Sequence, residues 1–466
     1  MVSYRRLAMR VLGHVPVLFD KKKASPPPRV AAQRIAALAL ACAMMTGMAL
    51  PAFAGTYDIV NGSIDIHATK DGNFISQWIM NEGQKEYVSD SSGYIQDRPD
   101  NEITITGKST GNTVTIDADE GKTVNVTLDN VNIDTSKTRK AAVSVTGSGN
   151  TNIELNGNNT LTSGSGHAGL EHNKTDDSGT LTIQDEKNDD GSAKGNASDT
   201  TGSLTATGGS KSAGIGGSDK QDGQVTITGG EITANGGSQG AGIGGGAGNK
   251  QAVGQAVGGD GDVTITGGDI TAKGGYDGAG IGGGDYGNGT VTISGGTITE
   301  ASGDRRSAGI GGGSQGLGTV TIEGDAIIKN AQGGIGGAGI GGGQSGGSEI
   351  IIKDKAVIEN AKSSGNGAGI GGGSQGLGKV TIEGDAIIKN AQGDIGGAGI
   401  GGGNLGIGNV AIKDNAQIGN ARDEKSRTFS SNSQRSHILR TSSRSRRLIL
   451  SSIVSFAVWL KCTRTI

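Results

Sequence analysis

Ala308-Gly309-Ile310-Gly311-Gly312-Gly313-Ser314-Gln315-Gly316-Leu317-Gly318-Thr319-Val320-Thr321-Ile322-Glu323-Gly324-Asp325 is the stretch on which the fold turns. A lone isoleucine framed by glycines is followed by a glycine-rich link and then by Val320-Thr321-Ile322. There apolar and polar residues alternate with period two, as in a strand with one buried face. Working outward, Ala-Gly-Ile-Gly-Gly also starts at Ala213, Ala241, Ala279, Ala338, Ala368 and Ala398, with spacings along the whole series of 28, 38, 29, 30, 30 and 30 residues. A β-branched run follows each copy, among them Val225-Thr226-Ile227, Val263-Thr264-Ile265, Ile350-Ile351-Ile352 and Val410-Ala411-Ile412. A glycine or Gly-Asp pair and a second short run come next, as in Glu231-Ile232-Thr233-Ala234.

Each repeat thus holds three short strand-like pieces joined by glycine turns, and none can close a core by itself. Stacking the same piece from successive repeats solves this, with parallel strands about 4.8 Å apart along an axis. An all-β parallel β-helix of about 28–30 residues per coil is expected. Inward columns would run through Ile215, Ile243, Ile281, Ile310, Ile340, Ile370 and Ile400, and through Ile227, Ile265, Ile293, Ile322, Ile352, Ile382 and Ile412. Ordering a coil's backbone outweighs what its few buried side chains return, so the coils must be stable cooperatively. All six prolines lie at or before Pro99, so none interrupts the ladders. One register stays open. Ile232 and Ala234 look inward in the early coils, whereas Ala416-Gln417-Ile418 implies the opposite parity in the last.

The regular array spans residues 207–421. Residues 101–206 carry similar runs at irregular spacing, such as Val126-Thr127-Leu128 and Leu181-Thr182-Ile183, and His167-Ala168-Gly169-Leu170 reads as a degenerate first copy of the glycine motif. Residues 55–100 hold Tyr57, Phe74, Trp78, Tyr87 and Tyr94 and are expected to cap the first coil. The segment from Gly309 recurs from Gly369 with only Thr319/Lys379 and Gly334/Asp394 differing over 35 residues, a duplication of two coils.

The ends read differently. Residues 1–54 have the form of a signal peptide with an extended basic flank: Arg29 and Arg34 precede an apolar run from Ile35 to Leu50, and Ala52-Phe53-Ala54 suits cleavage. Cys42 lies in that run and Cys462 near the other end, so no disulfide is expected in the repeats. Residues 422–466 form a basic, Ser/Arg-rich tail without the repeat pattern, read as disordered or frame-shifted, with an anchoring remnant as the alternative. Its apolar run Leu448–Leu460 is shorter than a membrane span, so no transmembrane span is expected. A secreted or cell-surface location follows.

Between these basic ends the chain has 42 acidic against 24 basic residues, which argues against nucleic acid as a partner. Glycine numbers 90 and aromatics are 3%. Gly240-Ala241-Gly242-Ile243-Gly244-Gly245 matches G-x-G-x-x-G, but it recurs and leads into a strand rather than a helix, so no nucleotide is expected. Gly258-Gly259-Asp260-Gly261-Asp262 is close to a calcium-binding nonapeptide without its nine-residue period; no cofactor is expected, with calcium left as a candidate. Rows such as Thr226 and Thr228 could form a flat ice-binding face, but Glu323, Lys353, Glu383 and Lys413 replace them later. Catalysis needs a unique acid–base constellation. The acids recur at equivalent turns, His67, His167 and His172 lie outside the regular coils, and Arg305-Arg306 is the only basic pair within the repeats. No catalytic, cofactor or metal residue is assigned, and the chain reads as a binding protein rather than an enzyme. Tyr276 and Tyr286, the only aromatics between Pro99 and Phe429, are the candidate ligand contacts.

Val126-Thr127-Leu128-Asp129-Asn130-Val131-Asn132-Ile133, Ile153-Glu154-Leu155-Asn156-Gly157-Asn158-Asn159-Thr160-Leu161 and the Ala-Gly-Ile-Gly-Gly array carry a resemblance from about Gly55 to Ala421. The chain resembles the Gly-rich secreted carbohydrate-binding-domain-containing surface proteins of Gram-positive bacteria. The resemblance implies a right-handed parallel β-helix and, in some relatives, binding of acidic plant-type polysaccharide aided by calcium. It transfers scaffold positions and no binding residue. Three functions are therefore expected as alternatives: a surface adhesin contacting extracellular polysaccharide or a host surface, a structural spacer without a small ligand, and a β-helical polysaccharide lyase or hydrolase.

Overall fold

The structure, a computed structural model, describes residues 54–185, 202–250, 256–257, 259–423 and 437–440. The leader, both cysteines and most of the basic tail lie outside the described residues. What is described is strand and turn throughout, with one short 3-10 turn at Ile59–Asn61.

Three faces stack along the chain. The first is built from Asp222–Ile227, Gly261–Ile265, Gly289–Ile293, Gly318–Ile322, Ser348–Ile352, Gly378–Ile382 and Gly408–Ile412, each parallel to the next. Its register aligns Ile227, Ile265, Ile293, Ile322, Ile352, Ile382 and Ile412 in one column. That column continues upstream through Ile183, Ile153 and Val126 to Ile103, so the irregular early strands belong to the same helix. The third face is a narrow edge of two-residue strands, where Ile215, Ile243, Ile281, Ile310, Ile340, Ile370 and Ile400 stack below Leu170, Val143, Val114 and Ile64. The side chains of both columns are buried almost without exception, and together they line one apolar interior. The expected parallel β-helix is what the residues form.

The second face resolves the open register. Leu204, Ile232, Ile270 and Ile298 stack, as do Ala206, Ala234, Ala272 and Ala301. Between the third and fourth of these coils the strand Thr297–Ser302 gains a β-bulge, with exposed Thr299 as the extra residue. From there on isoleucine and alanine are three apart, as in Ile328 and Ala331, and both still point inward. One coil later the preceding turn gains buried Ala326 as well. These two insertions lengthen the coil from 28 to 30 residues, so Ile418 keeps the parity of Ile232 without any strand turning over.

Glycine is required where successive coils approach. A Cβ on Gly313 would lie 1.8 Å from the carbonyl oxygen of Gly284. Gly311 adds a φ of +128° to a similar clash with Gly341, a backbone that side chains rarely adopt. On the outer surface of the first face charge alternates from coil to coil. Lys353 pairs with Glu323 at 2.8 Å and Lys413 with Glu383 at 3.0 Å within one column. Glu349 and Lys379 pair at 2.5 Å in a second column on that surface, and on the neighbouring second face Glu359 and Lys389 pair at 2.7 Å.

At the first coil, Ser63–Thr69 pairs in parallel with Val114–Ala118 and antiparallel with Gly72–Asn81, which closes the sheet edge. Tyr57 donates its hydroxyl to Asp100 at 2.8 Å, and Trp78 donates its indole N–H to Asp65 at 2.8 Å, so the aromatics have partners for their polar ends. At the other end Val410 is still buried, while Ile412 and Ile418 are partly exposed. His437–Arg440 pairs in parallel with the strand Gly408–Ile412.

A candidate binding edge at the glycine loops

Each narrow edge strand is flanked by two loops, one leading into Ala-Gly-Ile-Gly-Gly and one leaving it. Backbone bonds join the entering loop of one coil to the leaving loop of the same or the next coil. Asp285 N donates to Gln239 O at 2.8 Å, Ser314 N to Asp277 O at 2.9 Å, and Gln344 N to Arg306 O at 2.6 Å. These loops are glycine-rich throughout, and among the described residues only those of the coil of Ile281 carry aromatic side chains. Three successive coils carry Gln239, Tyr276, Asp277, Asp285, Tyr286, Arg305 and Arg306 there.

Both expected contact residues are here. Tyr276 is 41% exposed on the entering loop, and Tyr286 is half-buried on the leaving loop with a φ of +64°. Tyr286 N donates to Ser314 O, and Ser314 N donates to Asp277 O, so a two-bond backbone bridge holds the tyrosine segments on one edge. The Arg305 guanidinium lies 4.8 Å above the Tyr276 ring, a cation–π arrangement that fixes the face the ring presents.

Beneath them lies a polar base. Arg306 donates Nε to both carboxylate oxygens of Asp277, at 3.0 and 3.1 Å, and Nη2 to one of them. Asp277 is buried, and this bidentate pairing compensates its charge. Asp285 is also buried; Gln239 Nε2 donates to its Oδ2 at 2.8 Å, while Oδ1 has no hydrogen-bond partner. Burial, reinforced by the neighbouring Asp277 charge and opposed by the Gln239 hydrogen bond, pushes the Asp285 carboxyl up to about 6. The longest interval between glycine motifs opens alongside. Gly248 N donates to Asp285 O at 2.8 Å, and just beyond it Asn249–Lys250 pairs antiparallel with Ala256–Val257 as a small hairpin. On the other side Arg305, Arg306, Ile335, Gly336, Gln344 and Asn366 line a shallow groove of about 170 Å³.

The remaining candidates fall elsewhere. In the calcium-like segment, Asp222 accepts from Asp260 N at 2.8 Å, Asp260 accepts from Asn288 N at 2.7 Å, and Asp262 pairs with Lys174 at 2.6 Å. These carboxylates bind protein groups, and among the described residues no three His, Cys, Asp or Glu are grouped to hold a metal ion. His67 sits at the surface 3.4 Å from both Asp117 and Asp119. His167 pairs with buried Glu171 at 2.8 Å, and burial raises the Glu171 carboxyl. His172 occupies a buried column position next to Val145, donates to Gln224 O at 2.8 Å, and is pushed down by burial. His167 and His172 thus share one coil and His67 lies in another, all upstream of the tyrosines.

Among the described residues no helix is long and apolar enough to cross a membrane. No curated protein and no solved structure matches the chain. The family described as beta helix repeat matches residues 202–219, 225–247, 263–285 and 291–314, in step with the coils. The matches stop before Ala326, where the turn acquires its extra residue. Stacked faces and repeat match agree: the chain is a parallel β-helix repeat protein.

Proposed function

We propose that this is an exported β-helical binding or adhesion protein that contacts extracellular polysaccharide along the loop edge centred on Tyr276. The observation that carries the reading is the cluster of aromatic and charged side chains that three successive coils bring together on this glycine-rich edge. There an exposed tyrosine is stacked under Arg305, a second tyrosine lies one backbone bridge away, and a buried ion pair holds the loops from below. Sugar rings offer apolar C–H faces to tyrosine and hydroxyls to arginine, and a rigid edge needs little ordering on binding. A rising stack of coils also suits a linear polymer better than a small molecule, because equivalent positions repeat along one direction.

A glycan array probed with and without calcium tests this. Tyr276→Ala is expected to weaken binding about tenfold or more, given roughly 1 kcal/mol for the stacking in addition to lost area, with an unchanged circular dichroism spectrum. Wild-type protein that binds no glycan under either condition would leave the spacer as the better account. Asp285 favours one second reading, a polysaccharide lyase or hydrolase, because its carboxyl is held protonated into the range useful to a general acid. Unsaturated or shortened sugars released by wild type and not by Asp285→Asn would establish that alternative.

A further inference from the structure

An aromatic side chain that serves the interior of the cap is buried, as Tyr57 is at 5% exposure. Tyr94 is instead 71% exposed, and with Glu86, Tyr87 and Gln96 it lines an open groove of about 310 Å³. Packing of the first coil does not account for a ring held there. The strand Gln84–Tyr87 pairs antiparallel with Gly72–Asn81, which sets Tyr87 opposite Trp78. Val88 N donates to Gln77 O at 2.8 Å and Ile95 N to Val88 O at 2.7 Å, so a second hairpin grows directly from the first. In it Ser89, two residues beyond Tyr87, stands opposite Tyr94, and the register brings both tyrosines to one side.

Arg98 fixes the second hairpin. Its Nη1 and Nη2 donate to the two carboxylate oxygens of Asp90, at 2.5 and 3.0 Å, and Nη2 also reaches the carbonyls of Gly93 and Tyr94, at 3.2 and 3.3 Å. Asp90 accepts from Ser92 N at 2.7 Å as well, which closes the turn. Tyr94 is thus an exposed ring on a held backbone, and little ordering remains to be done when a ligand stacks on it. The lining supplies two apolar ring faces, an amide that both donates and accepts, and a carboxylate. Asn81 Nδ2 donates to Glu86 Oε1 at 2.8 Å, which leaves the other oxygen of Glu86 to accept from a ligand hydroxyl. The cations of these hairpins are committed elsewhere. Lys85 pairs with Asp65 at 3.0 Å and lies 4.1 Å over the Trp78 ring, and Arg98 pairs with Asp90.

We propose that the cap groove is a second saccharide site, selective for uncharged sugars. Sugar rings stack their C–H faces on Tyr87 and Tyr94, and their hydroxyls bond Gln96 and Glu86. The uncompensated charge of Glu86 repels acidic sugars. A quaternary ammonium needs its charge enclosed by aromatic faces, which an open groove with two rings does not provide. A protein partner needs about 800 Å² on each side, far more than these four side chains present. The site is separate from the loop edge at Tyr276. Along the narrow-edge column from Ile64 through Val114, Val143, Leu170, Ile215 and Ile243 to Ile281 there are six steps, roughly 30 Å at about 4.8 Å each. It therefore stands or falls independently of binding at that edge.

Trp78, opposite Tyr87, reports on the groove once Trp459→Phe removes the other tryptophan. Titration of the purified chain with neutral gluco-, manno-, galacto- and xylo-oligosaccharides should change the Trp78 emission for at least one of them, whereas polygalacturonate and choline should not. Tyr94→Ala should weaken that response about tenfold, and Gln96→Ala severalfold, with the circular dichroism spectrum retained. Glu86→Gln should admit polygalacturonate, and Tyr276→Ala should leave the response unchanged. No response to any neutral sugar, a response of the wild type to polygalacturonate or choline, or a Tyr94→Ala titration equal to that of the wild type would each overturn the proposal. Glycan-array binding without any change at Trp78 would refute the cap site alone. A Trp78 response in a protein whose array signal survives Tyr276→Ala would uphold the cap site and refute the loop edge.

Discussion

Asp285 is a carboxylic acid placed where water does not solvate it, with one oxygen satisfied and the other not. Its native carboxyl is raised from 3.8 to about 6, so the folded state binds the proton more tightly than the unfolded state does. Stability from this group is full below the unfolded value and is lost as pH climbs through about 6. Asp285→Asn keeps the size and removes the titration. The variant should gain about 2 kcal/mol over wild type between pH 4 and pH 7, seen as urea midpoints that diverge as pH rises. Parallel pH curves for the two proteins would show that Asp285 keeps an ordinary carboxyl. At this scale the sequence was readable by rarity. Two tyrosines in a region without other aromatics, and one pair of arginines, marked the coils in which the structure gathers this cluster. Asp277, Asp285 and Gln239 were not singled out, because each resembles any acidic or polar turn residue until the stacked loops bury the two carboxylates and bring Gln239 onto Asp285.

Strands behave as interchangeable units only as long as their outer charges are in step. Glu323, Lys353, Glu383 and Lys413 follow one another on the first face, and Lys353 lies between the anions of both adjacent coils. Such exposed pairs contribute little singly, but like charges directly opposed are unfavourable. Lys353→Glu should therefore lower the melting temperature more than Lys353→Met does, and about 1 M salt should erase the difference by screening. Equal effects of the two changes at low salt would mean that charge order is irrelevant to stacking. The alternation of apolar and polar residues made the strands and the two isoleucine columns legible in advance. The second face was not, since a bulge leaves composition unchanged and only shifts which residues face inward; Thr299 is an ordinary outward threonine whose extra place is visible only against the neighbouring coil.

At the scale of the whole array, order is passed among the described residues from one coil to the next, the hallmark of a quasi-one-dimensional solid. Its two ends differ. The antiparallel strand Gly72–Asn81 covers one, whereas burial thins toward Ile412 and Ile418 at the other. Hydrogen exchange read by mass spectrometry should find Gln417–Asp423 opening well before Gly289–Ile293, with Ser63–Thr69 protected despite its terminal place. Uniform exchange along the array would instead mean that all coils melt together. The architecture was legible because repetition is the strongest signal a chain can carry; the ends were less so, since a cap is by nature the part that does not repeat.

The alternation of sign from coil to coil also limits how this region can change in length. Loss or gain of one winding between Glu323 and Lys413 would set like charge against like charge, whereas loss or gain of two leaves the alternation as it was. Recombination among near-identical tracts such as those beginning at Gly309 and Gly369 shifts the array by that even step. Length variants of the gene are accordingly expected to differ by sixty codons, the smallest increment that keeps the surface electrically in phase.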